Sequence, residues 1–244
     1  MRYAEGLVHG FLVLRTLDGM AVADGDLIQV ARGDRVTAQL IFRFRDGSVH
    51  DETAVYTQSR HFRLVSYRLV QKGPAFPRAL EMSIDTATGQ VDVRVSDDEG
   101  EPKLESERME LPDDLANGMV STLLKNVEPE ALPRSLSYVA ATPKPRLVKL
   151  ELATAPQDRF ATGRRGRLAR HYAVKVDIGG LAGVIAPLIG KQPPDSHVWI
   201  LGGTAPAFVR AEQTLALGGP MYRIELTSPS WPRPAPAGAA APKK

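Results

Sequence analysis

Turn-forming residue pairs recur between residues 7 and 111 and divide them into segments of hairpin length. The pairs are Asp18-Gly19, Gly33-Asp34, Asp46-Gly47, Gly73-Pro74, Thr88-Gly89 and Glu99-Gly100. Pairs of this kind between apolar and β-branched runs are typical of tight connections between antiparallel strands. The spacing therefore predicts a meander of about eight strands, in which each strand pairs with the next along the chain.

The segments between the turns alternate between apolar and polar residues. The clearest alternation places five apolar residues on one face of a strand: Val36, Ala38, Leu40, Phe42 and Phe44. Because successive side chains of a strand point to opposite faces, the pattern predicts a sheet with one buried and one solvated face. The second half of the chain also alternates. Its predicted strands are 135–141, 147–152, 168–178, 197–201, 208–217 and 221–227.

The predicted strand at residues 62–70 departs from this pattern. Phe62 and Leu64 lie on one of its faces, whereas Tyr67 and Leu69 lie on the other. A strand that is apolar on both faces needs a second element to cover the second face. We therefore expect another element to pack over it.

Residues 113–126 predict a helix that could provide this cover. Acidic residues follow Pro112, and apolar residues such as Met119 and Leu123 recur at helical spacing. Gly118 inside this helix would cost about 1 kcal/mol relative to alanine. The predicted fold is mainly β, with a strongly curved antiparallel sheet or half-barrel wrapping one α-helix.

Composition limits the classes of protein to which the chain can belong. With 244 residues and 43% hydrophobic residues, it can bury a substantial core. Its net charge of +3 is spread along the sequence, which argues against a strongly basic nucleic-acid binder. The lack of cysteine excludes disulfides, thiolate metal sites and a cysteine nucleophile. We predict one β-rich domain over residues 1–231 and a disordered Pro/Ala-rich tail over 232–244.

Motifs for catalysis are absent from the sequence, which contains no phosphate loop, dinucleotide fingerprint or nucleophile elbow. His50 and Glu52 lie two residues apart on one strand face, and His61 begins the next strand. This arrangement leaves open a small metal or acid–base site. Because such pairs are common on solvated strand faces, we favour a structural role for them and predict no catalytic residue, metal or cofactor.

Residues 179–190 contain four glycines and no charged side chain. The stretch is shorter than the roughly 20 residues that a membrane-spanning helix needs, and Pro187 would interrupt such a helix. Its apolar residues must therefore contact the protein core, a hydrophobic ligand inside the curved sheet, or a membrane surface. The glycines favour a mobile lid over a permanently buried plug.

A dense basic patch occurs at residues 163–167. Its arginines, Arg164, Arg165 and Arg167, could hold a phosphate or an anionic lipid head group, because guanidinium groups bind phosphate through two parallel hydrogen bonds. The patch is expected at a hairpin tip, and we favour a solvated loop there, since runs of surface charge usually serve only solubility. Close proximity of this patch to residues 179–190 would favour a membrane-docking surface.

The meander at 7–111, the helix at 113–126 and the apolar loop at 181–189 together resemble a family of bacterial envelope proteins. These are the half-open β-barrels of the outer-membrane lipoprotein carrier and receptor type. The chain is also similar to uncharacterised exported bacterial proteins of the same β-rich construction. The resemblance implies an apolar concavity that shelters acyl chains, and a lid or membrane-touching role for residues 181–189.

We therefore predict a non-enzymatic protein of the bacterial envelope that binds a lipid or another hydrophobic ligand. We expect it to be periplasmic or exported after loss of a leader, with a cytoplasmic location left open and no nucleic-acid partner. The predicted ligand-binding residues are Leu40, Phe42, Phe44, Phe62, Leu64, Leu69, Met119, Leu123, Leu181, Val184, Ile185 and Leu188. The alternative is a structural or assembly protein that binds an envelope partner through a sheet edge or residues 179–190.

Overall fold

The structure, a computed structural model, describes residues 1–96, 100–162, 165–177 and 193–227. The apolar stretch 179–190 and the tail 232–244 lie outside these residues, so the predictions made for them stay predictions.

Fourteen strands and one α-helix of seven residues form the regular structure of the described residues, together with a short 3-10 helix at Pro129–Ala131. The first eight strands are β1 (Val8–Thr16), β2 (Ala21–Arg32), β3 (Arg35–Phe44), β4 (Val49–Gln58), β5 (Phe62–Lys72), β6 (Leu80–Asp85), β7 (Gln90–Ser96) and β8 (Pro102–Arg108). The helix is α1 (Val120–Asn126). The remaining strands are β9 (Ser135–Ala140), β10 (Arg146–Thr162), β11 (Arg165–Asp177), β12 (Ser196–Leu201), β13 (Ala207–Thr214) and β14 (Met221–Leu226).

All fourteen strands belong to one antiparallel sheet, in the order β8-β7-β6-β5-β4-β3-β2-β1-β14-β13-β12-β11-β10-β9. The mainly β, antiparallel fold and the eight-strand meander before residue 111 are thus confirmed. The second half of the sheet joins the first through β1 and β14, where Leu12 lies opposite Leu226. Among the described helices, none is long and apolar enough to cross a membrane.

A β-bulge explains the apparent two-sided character of β5. The pairing of β4 with β5 shifts between Leu64 and Ser66, which leaves Val65 as an extra residue on β5. An extra residue reverses the alternation of all residues that follow it. Leu64 before the bulge and Tyr67 and Leu69 after it therefore face the same core, and all three are buried. The expectation that a second apolar face needed cover was wrong.

The predicted helix over 113–126 was also wrong in its first half, because α1 begins only at Val120. Gly118 has a φ of +68°, a left-handed conformation that breaks a right-handed helix. A Cβ atom at Gly118 would come within 2.7 Å of the Cβ of Ala54. Upstream, Leu115 forms a parallel β-bridge with Ser137. The apolar residues of this segment are thus buried by a turn and a strand-like contact.

The segment before α1 covers the free edge of β9. The Ala116 N–H donates to the Ser137 carbonyl at 2.9 Å. The Asn117 side chain accepts from the Val139 N–H at 2.9 Å and donates to the Val139 carbonyl at 3.0 Å. These contacts satisfy backbone groups that an edge strand leaves unpaired. Among the described strands β8 and β9 do not pair with each other, so the sheet is not closed into a barrel.

The inner face of the sheet folds over on itself to make the core. One buried cluster joins Leu14 on β1 and Phe42 on β3 to Leu150 on β10. A second cluster joins Tyr56 on β4 to Val139 on β9. Strands β3 and β10 lie far apart in the sheet order, so contact between their side chains requires the sheet to bend.

Candidate functional site

A cavity of about 180 Å³ lies between the inner face of the sheet and α1. Its apolar wall comes mainly from the sheet and includes Leu12, Leu27, Leu40, Phe208 and Ile224. Its polar wall comes from α1 and from a few inward-facing polar side chains of the sheet. The cavity therefore combines an apolar surface with polar groups of the helix and the sheet.

Small side chains on three strands create this space. Ala38 on β3 and Ala54 on β4 lie opposite each other, and Ala211 lies on β13. All three are buried and line the cavity. Larger residues at inward positions would fill the hollow, as they do elsewhere in the core.

Glu52 is the acidic group of the cavity. It lies on the inner face of β4 opposite Leu40, and the part of its surface that stays accessible opens into the cavity. The Tyr67 hydroxyl donates a hydrogen bond to Glu52 Oε1 at 2.8 Å. Burial raises the pKa of Glu52 above its ordinary value, and the hydrogen bond from Tyr67 opposes part of this rise.

Tyr138 on β9 lines the same side of the cavity. Burial raises the pKa of Tyr138, and the neighbouring Glu52 charge adds to the rise. The pKa of Tyr67 is likewise raised by burial and by Glu52. Both phenols therefore stay protonated at physiological pH. Glu52 and Tyr138 line the cavity as a carboxyl group and a hydroxyl group, while the Tyr67 hydroxyl is bound to Glu52.

The other polar side of the cavity is internally paired. Lys125 on α1 forms an ion pair with Glu5 at 2.7 Å. Gln29 donates to the same Glu5 carboxylate at 2.7 Å, and the Tyr56 hydroxyl donates to Gln29 at 3.2 Å. Because Glu5 and Gln29 are buried, this network fastens the segment before β1 to both the sheet and the helix.

A second hollow of about 400 Å³ lies against a different face of α1. This groove is lined by apolar residues that include Phe62, Leu123 and Leu136. At its rim Arg63 and Asp113 form a salt bridge at 2.7 Å. The helix thus separates the cavity from a more open apolar groove.

An aromatic layer, made of Phe42, Phe44, His50, Phe76 and Tyr222, fills the core toward the end of the sheet where β4 begins. Its ring centroids are 5.6 Å apart for Phe44 and Phe76, and 6.4 Å apart for His50 and Phe76. Burial lowers the pKa of His50 to about 4. The imidazole is therefore neutral at physiological pH.

The neutral His50 ring is hydrogen-bonded at one nitrogen. The Gln71 amide donates to His50 Nδ1 at 3.0 Å, which places the proton on Nε2. Nε2 is buried and has no partner among the described residues. The apolar rings around it cannot solvate a positive charge, so burial disfavours the charged form of the imidazole.

The predicted ligand-binding residues separate into three groups. Leu40 lines the cavity, and Phe62 and Leu123 line the groove. Five others pack within the two core clusters: Phe42, Phe44, Leu64, Leu69 and Met119. The remaining four lie outside the described residues: Leu181, Val184, Ile185 and Leu188.

The structure does not bring together His50, Glu52 and His61, at which the sequence left a small metal or acid–base site open. The two strand residues do not lie on a solvated face, as the sequence had suggested, but on the inner face opposite Phe42 and Leu40. His61 is exposed and lies beyond the other end of β4. The turn at 46–47 was predicted, but the hairpin register that it sets, which aligns His50 with Phe42, was not used. No group of three His, Asp or Glu residues suited to a metal occurs within the described ranges.

Strands β10 and β11 form a hairpin in which Thr162 pairs with Arg165, so the described residues of the basic patch lie near its tip. Arg167 is exposed and donates to the Gly202 carbonyl at 3.2 Å. Arg164 and the side chain of Arg165 lie outside the described part of the chain. Arg165 begins β11 and Asp177 ends it, so the tip is far from the point where the chain leaves β11 toward residues 179–190.

Comparison with known proteins gives no family for this chain. No protein-family model matches it, and the search of curated proteins gives no match. Among solved structures it is similar to a β-barrel-like protein of a domain of unknown function, DUF1849, from Brucella abortus. The two share 10% sequence identity at a TM-score of 0.49, over 92% of this chain and 98% of that chain. A likeness at this level says nothing about function.

Proposed function

We propose that the protein binds a small hydrophobic or amphiphilic molecule, such as the alkyl chain of a lipid, between the sheet and α1. In this proposal the bent sheet acts as a half-barrel around the helix. The observation that carries it is the cavity of about 180 Å³, kept open by Ala38, Ala54 and Ala211 and bounded by leucines. An apolar hollow with few polar groups is the usual form of a small-molecule site.

The size of the cavity limits the ligand. A dry cavity of about 150 Å³ accepts benzene, so this one accommodates a body of roughly six carbon atoms. A longer chain needs more room, which the groove of about 400 Å³ on the other face of α1 could supply. A shift of this short helix would join the two hollows into a volume within the range of small-molecule pockets.

Burial of apolar surface would provide the affinity. Each methylene moved from water into the cavity contributes about 0.8 kcal/mol, which is about a fourfold gain in affinity. An envelope location and a role in lipid carriage belong to the same proposal and rest on the architectural resemblance.

The alternative, assembly with an envelope partner through a sheet edge, has weaker support. The outermost strand β8 exposes Leu104 by 55%. However, β8 is short and carries Lys103, Glu105 and Glu107, and charged residues on an edge strand disfavour the addition of another strand.

A titration with n-alkan-1-ols from butanol to dodecanol tests the proposal. Isothermal titration calorimetry should show affinity rising about fourfold per methylene until the hollow is full. A plateau near six carbons would indicate that α1 stays in place, and a continued rise would indicate that it moves. Native mass spectrometry and organic extraction of the purified protein should reveal a co-purified apolar molecule.

A matched pair of variants controls this titration. Ala211→Leu fills the cavity and should weaken hexan-1-ol binding at least tenfold, because the added side chain occupies the ligand's space. Ala87→Leu adds the same side chain at an exposed turn and should leave binding unchanged. Absence of binding at every chain length, or an affinity that ignores chain length, would refute the proposal.

A further inference from the structure

We propose that Glu52 recognises a hydrogen-bond-donating head group, so that the cavity prefers short alkyl amines, and then alcohols, over alkyl carboxylates. This inference rests on the proposed function and specifies the chemistry of its ligand.

The first step is that the Glu52 carboxylate retains unused acceptor capacity. An ionised carboxylate has about four lone-pair sites. The described residues supply one donor to it, the Tyr67 hydroxyl on Oε1. The other oxygen belongs to a side chain whose accessible surface opens into the cavity. A donor on a bound ligand would satisfy it.

The second step is that the described residues lining the cavity offer no unpaired positive charge that would bind an anionic ligand. Among the described residues that line the cavity, Lys125 is the only basic one. Its ammonium group is held by Glu5 at 2.7 Å, and the ion pair is mostly buried. Glu5 is in turn held by Gln29, so the pair is part of the permanent structure of the wall.

The third step is electrostatic. A ligand carboxylate would place a second negative charge near Glu52 in a poorly hydrated space, where like charges repel strongly. An alkylammonium ion would instead favour the ionised form of Glu52, which burial disfavours, and would form a charge-assisted hydrogen bond with it. A hydroxyl group would donate a neutral hydrogen bond and fall between the two.

The fourth step is geometric. Glu52 lies opposite Leu40 and beside Ala54 on the same inner face of β4, so the carboxyl group adjoins the apolar wall. A chain packed against that wall can bring its polar end to Glu52. The site therefore fits a short amphiphile better than a wholly apolar molecule.

The test compares hexylamine, hexan-1-ol and hexanoate, which share one chain and differ in the head group. Calorimetric titration of the full chain at pH 7.5 should show hexylamine binding at least tenfold more tightly than hexanoate, with hexan-1-ol between them. Glu52→Gln keeps the size of the side chain and an acceptor for Tyr67. It should weaken hexylamine binding at least tenfold and change hexan-1-ol affinity by less than threefold.

Glu81→Gln is the matched control, because Glu81 is an exposed carboxylate on β6 and its loss should leave all three affinities unchanged. Tyr67→Phe provides a second variant if Glu52→Gln fails to fold. It removes the hydrogen bond that opposes the rise of the Glu52 pKa, so at pH 7.5 it should weaken hexylamine binding at least threefold and change hexan-1-ol binding by less than threefold.

The outcomes separate this inference from the proposed function. Equal affinity for the three compounds, tightest binding of hexanoate, or an amine preference that survives in Glu52→Gln would overturn the head-group assignment while chain binding stands. Failure of all three compounds together with the longer alkanols would overturn the proposed function itself.

Discussion

Two positions on the inner face of β4 show how one sheet makes both a solid core and a hollow. His50 lies in the aromatic layer, whereas Glu52, two residues further along, lines the cavity. Burial lowers the pKa of His50 to about 4 and raises the pKa of Glu52, because low polarity disfavours the charged form of each group. Burial thus favours the neutral form of both side chains.

The size of the neighbouring residues explains the difference between the two positions. Around His50 the facing side chains are the large rings of Phe42 and Phe76. Around Glu52 the wall includes the alanines at 38 and 54. Core packing normally fills such space, so a run of small residues at one level of the sheet marks where a ligand can enter.

The largest expected effect is the difference in stability loss between shortening a side chain of the aromatic layer and shortening one of the cavity wall. Phe42→Ala should lower the free energy of unfolding by about 3–5 kcal/mol, because it removes a fully buried ring from a packed layer. Leu40→Ala should cost about 1–2 kcal/mol, because its side chain already borders empty space. Urea denaturation of both variants measures the contrast. Equal losses would show that the cavity wall is as tightly packed as the aromatic layer.

The next effect is a loss of stability in mild acid that depends on His50. Its pKa is lowered from 6.5 in the unfolded chain to about 4 in the fold, so its contribution is complete above pH 6.5 and is lost as the pH falls toward 4. The full loss amounts to about 3 kcal/mol. His50→Gln removes this titration and should flatten the stability profile between pH 6.5 and 4. An unchanged profile would mean that His50 is more hydrated than its contacts indicate.

Glu52 should give a smaller effect of opposite sign. Because its pKa is raised in the fold, its ionisation costs stability; this cost is absent below the unfolded pKa of 4.5, grows as the pH rises from 4.5 toward the folded pKa, and is complete above it. Glu52→Gln should therefore raise the melting temperature at pH 8 and have little effect near pH 4. Thermal unfolding monitored by circular dichroism at the two pH values measures this. A lower melting temperature at pH 8 would contradict the assignment.

Local signals predicted most of the sheet. The connections at Asp18-Gly19, Gly33-Asp34 and Asp46-Gly47 are tight turns whose residues determine their own geometry, so neighbouring strands could be assigned without knowledge of the rest of the chain. The joint between β1 and β14 had no such signal, since pairing between distant strands depends on the completed core.

The errors arose where a distant contact changed a local pattern. The periodicity of residues 113–126 indicated one helix, but Leu115 pairs with Ser137 and Gly118 packs against Ala54. On β5 a single extra residue, Val65, made one buried face resemble two. Neither the bridge nor the bulge can be deduced from spacing alone.

The candidate site was predicted only in part. Leu40 lines the cavity, but large residues such as Phe42 and Met119 were chosen because they are apolar, and they fill the core instead. The alanines that create the space are inconspicuous in the sequence. A cavity depends on missing volume between strands, which hydrophobic patterning does not reveal.

The pairing of β1 with β14 also has a consequence for synthesis of the protein. Because translation proceeds from the N-terminus, the β1–β8 meander leaves the ribosome long before β14, the strand that pairs with β1. Until β14 is synthesised, one edge of β1 exposes unpaired backbone N–H and C=O groups that another polypeptide could pair with. Shielding of this edge of β1 during translation would then affect the yield of native protein.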